Sequence, residues 1–203
     1  MIKGDYLNLT KGQLKSKDGI DLYSRKDFDG MHTAGRVAAE ILDEIVTSVF
    51  PGQTTGKIDS IIEELIRDKN VESGTIGYRG YQHASCISVN HVVCHGIPSD
   101  KILKEGDILN IDVTVIKDGW YGDTSRMYVA GQPSRKAERL IQVTHDALFK
   151  GIDAVKPGKT FGDIGHAIQT YVEANRMSVV RDFCGHGLGR VFHSPPNVLH
   201  YGR

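Results

Sequence analysis

With 203 residues, 39% of them hydrophobic, the chain is long enough to bury a core of one or two domains and too apolar for a disordered tail or a fibre. Lys plus Arg and Asp plus Glu both number 25, so zero formal charge excludes a broad basic field of the kind that draws nucleic acid or anionic lipid. Residues 1–23 hold no apolar segment of the signal-peptide type and no run approaches the roughly 20 residues of a membrane span, which points to a cytoplasmic protein.

Ser24 has the type and position of an N-cap, and Phe28, Met31, Val37, Ala38, Ile41, Leu42, Ile45 and Val49 recur behind it at helical spacing until Pro51-Gly52. A second helix is expected after Thr55, with Ile58, Ile61, Ile62, Leu65 and Ile66 on one stripe, ending near Asn70. The glycine-rich loop Gly77-Tyr-Arg-Gly-Tyr81 follows, in which Tyr78 and Tyr81 suggest a packed aromatic pair. In the segment from Cys86 to Pro98, His95 stands beside Gly96 at an expected strand end, where catalytic groups and ordinary turn polars both occur.

From Asp107 to Val129, β-branched alternation on two arms around Asp118-Gly119 predicts a hairpin with a two-residue turn. Cross-strand partners then have numbers that sum to 237, so Asp123 faces Thr114 and lies diagonal to Asp112. Both carboxylates point to one face, with diagonal backbone spacing of roughly 7–8 Å. Two acids among Ile, Val and Trp are costly to bury uncompensated. Either one is exposed while the other caps a turn, or the pair converges on one or two cations.

Downstream, a helix from about Lys136 to Val155, then Pro157-Gly158, then a helix with Ile164, Ile168 and Tyr171 resemble the first helix pair. A shift of 106 superimposes Leu42 on Leu148, Val49 on Val155, Pro51-Gly52 on Pro157-Gly158, Thr54 on Thr160 and Ile58 on Ile164. The repeat is weak, and limited turn chemistry alone can make two such pairs look alike. If it is real, a counterpart of the 107–129 hairpin is expected to begin near 213, past Arg203, leaving an exposed apolar edge and an aggregation-prone product. His186, between Gly185 and Gly187, has neighbours small enough for a ligand to approach, and imidazole is a common donor to divalent metals. His193 lies an odd seven residues on, so a glycine bulge or another direction of approach is needed to bring it to the same site. Cys86, Cys94 and Cys184, without CxxC spacing, argue against a disulfide framework and for a reducing compartment, and suit buried apolar positions better than the alternative of zinc ligands.

The segments Cys86 to Pro98, Asn110 to Tyr128 and Gly185 to Tyr201 resemble the type I methionine aminopeptidases of bacteria, over about Ile20 to Arg203. The resemblance implies an α+β pita-bread fold, a curved, mostly antiparallel sheet with two pseudo-symmetric helix pairs on its outer face. It divides the chain into an N-terminal extension, 1–19, and a domain, 20–203, whose second half is incomplete. It implies that Asp112, Asp123 and His186 hold two divalent cations (Co, Mn, Fe or Zn), with Asp123 bridging them. His95 and His193 would be catalytic, the first near the scissile amide and the second at the substrate carbonyl. Tyr78, Tyr81, Cys86 and Phe192 would line the pocket for the methionine side chain, to which aromatic edges and a thiol are well suited. The implied reaction is dimetal-assisted removal of the N-terminal methionine from nascent polypeptides, the ribosome being one setting, by a protein that is monomeric when complete. The family's two further glutamate ligands have no counterpart, since no glutamate follows Glu173, so a 203-residue chain is expected to be weakly active or inactive. The alternatives are a non-catalytic peptide-binding module on the same fold and a hydrolase of the prolidase or aminopeptidase P kind.

Overall fold

The computed structural model describes residues 14–202, which fall into two compact units, one of residues 14–133 and 188–192 and one of 134–187 and 193–202. In the first, β1 (Leu14–Lys15) pairs antiparallel with β2 (Asp21–Leu22). That ribbon spans the expected boundary at residue 19, and the rest of the expected extension lies outside the described residues.

Helix α1 (Arg25–Glu44) starts in a capping box: the Ser24 side chain accepts from the Asp27 N–H, and the Asp27 carboxylate accepts from the Ser24 N–H at 2.8 Å. The α-helix ends at Glu44, earlier than Pro51-Gly52, and tightens into a 3-10 turn over Ile45–Ser48, where three consecutive β-branched residues crowd χ1. Phe28 departs from the expected stripe: it lies in the first turn, ahead of the first buried residue, Ala34, and is 56% exposed. Helix α2 (Thr55–Asp68) is capped by Thr54, whose hydroxyl accepts from the Lys57 N–H at 3.1 Å.

Four strands complete this unit: β3 (Glu72–Ser73), β4 (Ser85–Val89), β5 (Ile108–Lys117) and β6 (Trp120–Val129). All pairings are antiparallel, with β3 and β4 on one edge of β5 and β6 on the other. Asp118 and Gly119 turn the hairpin with φ of 51° and 75°, the positive pair a type I′ turn needs, and the register puts Thr114 against Asp123 and Asp112 against Ser125, as expected. Alternation then sorts β5. Leu109, Ile111, Val113 and Val115 are fully buried in one core with Ile41, Leu42, Ile45, Ile58 and Ile62, each such side chain contributing roughly 1.5–3 kcal/mol. Asn110, Asp112 and Thr114 take the opposite face.

Backbone meets backbone where α1 crosses β6. A Cβ on Gly122 would lie 2.3 Å from the carbonyl carbon and oxygen of Ala34, whereas one on Gly35 would meet nothing within 4 Å. Gly122→Ala is therefore expected to destabilise the protein by about 3 kcal/mol, and Gly35→Ala to stabilise it by about 0.5–1 kcal/mol through helix propensity. Urea midpoints measure both, and equal midpoints would refute the close approach.

In the second unit, α3 (Arg135–Asp153) and α4 (Phe161–Ala174) pack on each other, and β7 (Gly185–Gly187) pairs with β8 (Ser194–Val198). A shift of 106 carries Thr55–Asp68 onto Phe161–Ala174 and the Thr54 cap onto the Thr160 cap. Burial breaks the symmetry: Leu42 is 1% exposed but Leu148 55%, and Val49 9% but Val155 65%. These exposed apolar residues lie on α3 and just after it.

Candidate active site

The polar face of the hairpin carries the carboxylate pair. In register, Cys86 of β4, Asp112 of β5 and Ser125 of β6 form one row, and the Thr114 hydroxyl donates to Asp123 Oδ1 at 2.9 Å in the next. Burial, then the Asp123 charge, then a hydrogen bond with Asp123 push the Asp112 carboxyl up to about 7. Two carboxyls in such contact retain a proton near neutral pH, and a divalent cation in its place would neutralise both. By donor chemistry the pair fits a hard or borderline cation. Burial and the Asp112 charge push the Cys94 thiol up, and burial is also the main cause that raises Cys86. Protonated thiols behave as small apolar groups and poor ligands. All three cysteines are half-buried rather than buried, and none is disulfide-bonded.

His95 is not at a strand end. β4 stops at Val89, and His95 sits in the following loop with φ 56°, in the left-handed region that only a surrounding framework sustains for such a residue. The framework is Gly96, which donates to Ser88 Oγ at 3.0 Å and accepts from the Ile87 N–H at 2.8 Å. A Cβ there would lie 2.2 Å from the Ile87 carbonyl oxygen, so no other residue lets the loop press so closely on β4.

Tyr78 and Tyr81 are engaged separately rather than as the expected aromatic pair. Tyr78 packs on Phe192 with ring centroids 4.8 Å apart, while Tyr81 packs edge-on to His83 at 5.6 Å and donates to the Ser85 carbonyl at 2.9 Å. Phe192, 8% exposed, also stacks on Tyr121 at 5.5 Å and 13°. The hairpin tip holds the segment leading to Phe192: Tyr121 N–H donates to the Gly189 carbonyl at 2.9 Å, and Arg190 donates to the Asp118 carbonyl at 2.7 Å while lying 3.8 Å over the Trp120 ring. Tyr121 was not among the residues expected at the site. It shares the β6 parity of Asp123, a period-two signal that could have found it.

In the second unit, His186 lies in β7 opposite Asn197, and a bulge at His186/Gly187 shifts the register. Of the two ways the odd spacing allowed, a glycine bulge is the one found, and the His186 and His193 ring centroids lie 4.3 Å apart. His186 Nδ1 lies 3.0 Å from the Gly187 carbonyl, an acceptor only, so Nδ1 is the donor in this contact and Nε2 is the nitrogen that would ligate a metal from a neutral ring. The two rings line a shallow pocket with Asp182, Phe183, Cys184 and Ser194. Among the described residues, no three His, Cys, Asp or Glu side chains form a metal cluster by themselves, and no helix is long and apolar enough to cross a membrane.

Comparison with known proteins agrees with this chemistry. The model of metallopeptidase family M24 matches residues 29–203. The methionine aminopeptidase of Rickettsia prowazekii is 54% identical over 184 residues, covering 91% of this chain and 71% of the relative. The crystal structure of methionine aminopeptidase from that organism superimposes with a TM-score of 0.88 at 55% identity, covering 89% of this chain and 73% of the other. The prolidase of Pyrococcus furiosus, at TM-score 0.76 and 19% identity over 94% of this chain and 53% of its own, shares the fold alone. These likenesses bear out the α+β pita-bread class and a role for divalent metal, and the chain belongs to metallopeptidase family M24.

Proposed function

We propose that the protein is a methionyl aminopeptidase, removing N-terminal methionine from peptides and nascent proteins by hydrolysis assisted by two divalent cations. The observation that carries this reading is the Asp112–Asp123 pair, a carboxyl held up to about 7 by burial and by its neighbour, on a chain 54% identical to a methionine aminopeptidase. Asp112, Asp123 and the Nε2 of His186 would hold the cations, for which Mn, Fe, Co and Zn all suit the mixed oxygen and nitrogen donors. Bound there, they supply Lewis acidity, lowering the pKa of water and polarising the scissile carbonyl.

The chain's own side chains do the rest. His193 donates a hydrogen bond to the carbonyl oxygen as charge grows on it, and His95 serves the leaving nitrogen. Tyr78, Tyr81, Cys86 and Phe192 enclose an unbranched thioether by shape and polarizability. Residues 20–203 would form the metallopeptidase domain behind a short extension, in a monomer working in the cytoplasm on chains leaving the ribosome. The prolidase alternative has only a fold likeness behind it.

The full-length protein incubated with Met-Ala-Ser and Mn(II), Co(II) or Fe(II) is expected to release free methionine, and a chelator to stop it. An intact peptide under every metal would overturn the enzymatic reading in favour of a peptide-binding module.

A further inference from the structure

We propose that Asp59 is a positioning residue for the methionine pocket, its buried carboxylate on α2 fixing Ser85 and His83 and, through them, Tyr81 and Cys86. The inference rests on the pocket reading above and deepens it. Asp59 is 6% exposed beside the core residues Ile58 and Ile62. Its Oδ1 accepts from the Ser85 N–H at 2.8 Å and the Ser85 hydroxyl at 2.7 Å, while Oδ2 lies 3.1 Å from His83 Nδ1. The Ser85 carbonyl in turn accepts from the Tyr81 hydroxyl at 2.9 Å. Every polar group of Ser85 that these bonds engage is tied either to Asp59 or to a pocket tyrosine, and the next residue is the pocket thiol, Cys86.

Burying a carboxylate is a costly way to anchor a strand end, since apolar packing serves stability at least as well. What a carboxylate adds is direction, and here all its partners lie between Tyr81 and Cys86. The loop they terminate is closed on itself by the Thr75 hydroxyl donating to the His83 carbonyl at 2.7 Å and the Gly77 N–H donating to the Tyr81 carbonyl at 2.7 Å. Among the described residues, Asp59 is its one attachment to α2 by way of a buried carboxylate, so a displaced carboxylate moves the aromatic wall as a body.

The test is steady-state kinetics of the full-length protein with Mn(II), on Met-Ala-Ser and Leu-Ala-Ser. Asp59→Ala is expected to raise KM for the methionine peptide about tenfold and to narrow the preference over leucine about fivefold, with kcat within about twofold. Asp59→Asn, which keeps an acceptor for Ser85, should restore most of the KM. Where Asp59→Ala does not fold, the milder His83→Ala replaces it, with an expected KM increase of about threefold. A merely structural role would lower the active fraction, hence apparent kcat, and leave KM and the preference unchanged; that result overturns the proposal. Absence of methionine release by the wild type would instead sink the pocket reading, and this inference with it.

Discussion

At pH 8 and without added metal, Asp112→Asn is expected to unfold at a higher temperature than the wild type, while added Mn(II) or Co(II) raises the melting temperature of the wild type alone. The carboxyl stands at about 7 against an ordinary 3.8, chiefly because burial disfavours its charge and next because Asp123 repels it. A folded-state value above the unfolded one contributes stability that is fully present below about pH 4 and is lost as pH rises through about 7. The upper limit of that loss is about 4 kcal/mol, and solvent reaching the partly exposed side chain lowers it. Asparagine has the same shape and no charge, so the gap between variant and wild type should open from near zero at pH 4 to its full size above pH 7. Cation binding reverses the sign. A metal at 100 times its dissociation constant stabilises the wild type by about 2.7 kcal/mol, and loss of a carboxylate ligand should weaken binding by about a hundredfold or more. Equal metal-induced stabilisation of both proteins would remove Asp112 from the ligand set.

The same pair marks how much of the site is legible in the sequence. Asp112 and Asp123 could be placed on one face because the Asp118-Gly119 turn sets the hairpin register, and register needs only parity. The His186 and His193 rings were harder, because a bulge changes parity without changing composition; only the flanking glycines hint at it. Tyr78 finds Phe192 and Tyr81 finds His83, so neighbours in a short loop do not have to pack on each other, and contacts made over 114 residues leave no local trace. Asp59 is the extreme case. In sequence it is one polar position on an amphipathic helix, and its buried role depends on partners 24 and 26 residues away. In the segment from Cys86 to Pro98, His95 reads as a strand-end residue, yet the strand stops at Val89 and Gly96 folds the chain back at Ser88.

His193→Ala is expected to lower kcat for methionine release about a hundredfold to a thousandfold, with KM changed by less than about threefold. A donor aimed at the position of the developing oxyanion matters most in the transition state, so its removal should appear in kcat rather than in substrate binding. His193 suits that task by placement: it precedes β8, beyond the bulge, with its ring 4.3 Å from that of His186. The two rings therefore have separable roles. His186→Ala should cost metal affinity, read as a loss of the stabilisation by Mn(II), whereas His193→Ala should keep that stabilisation and lose turnover. If His193→Ala instead raised KM and spared kcat, the imidazole would act on the bound substrate before any charge develops, and oxyanion stabilisation would have to come from elsewhere in the site.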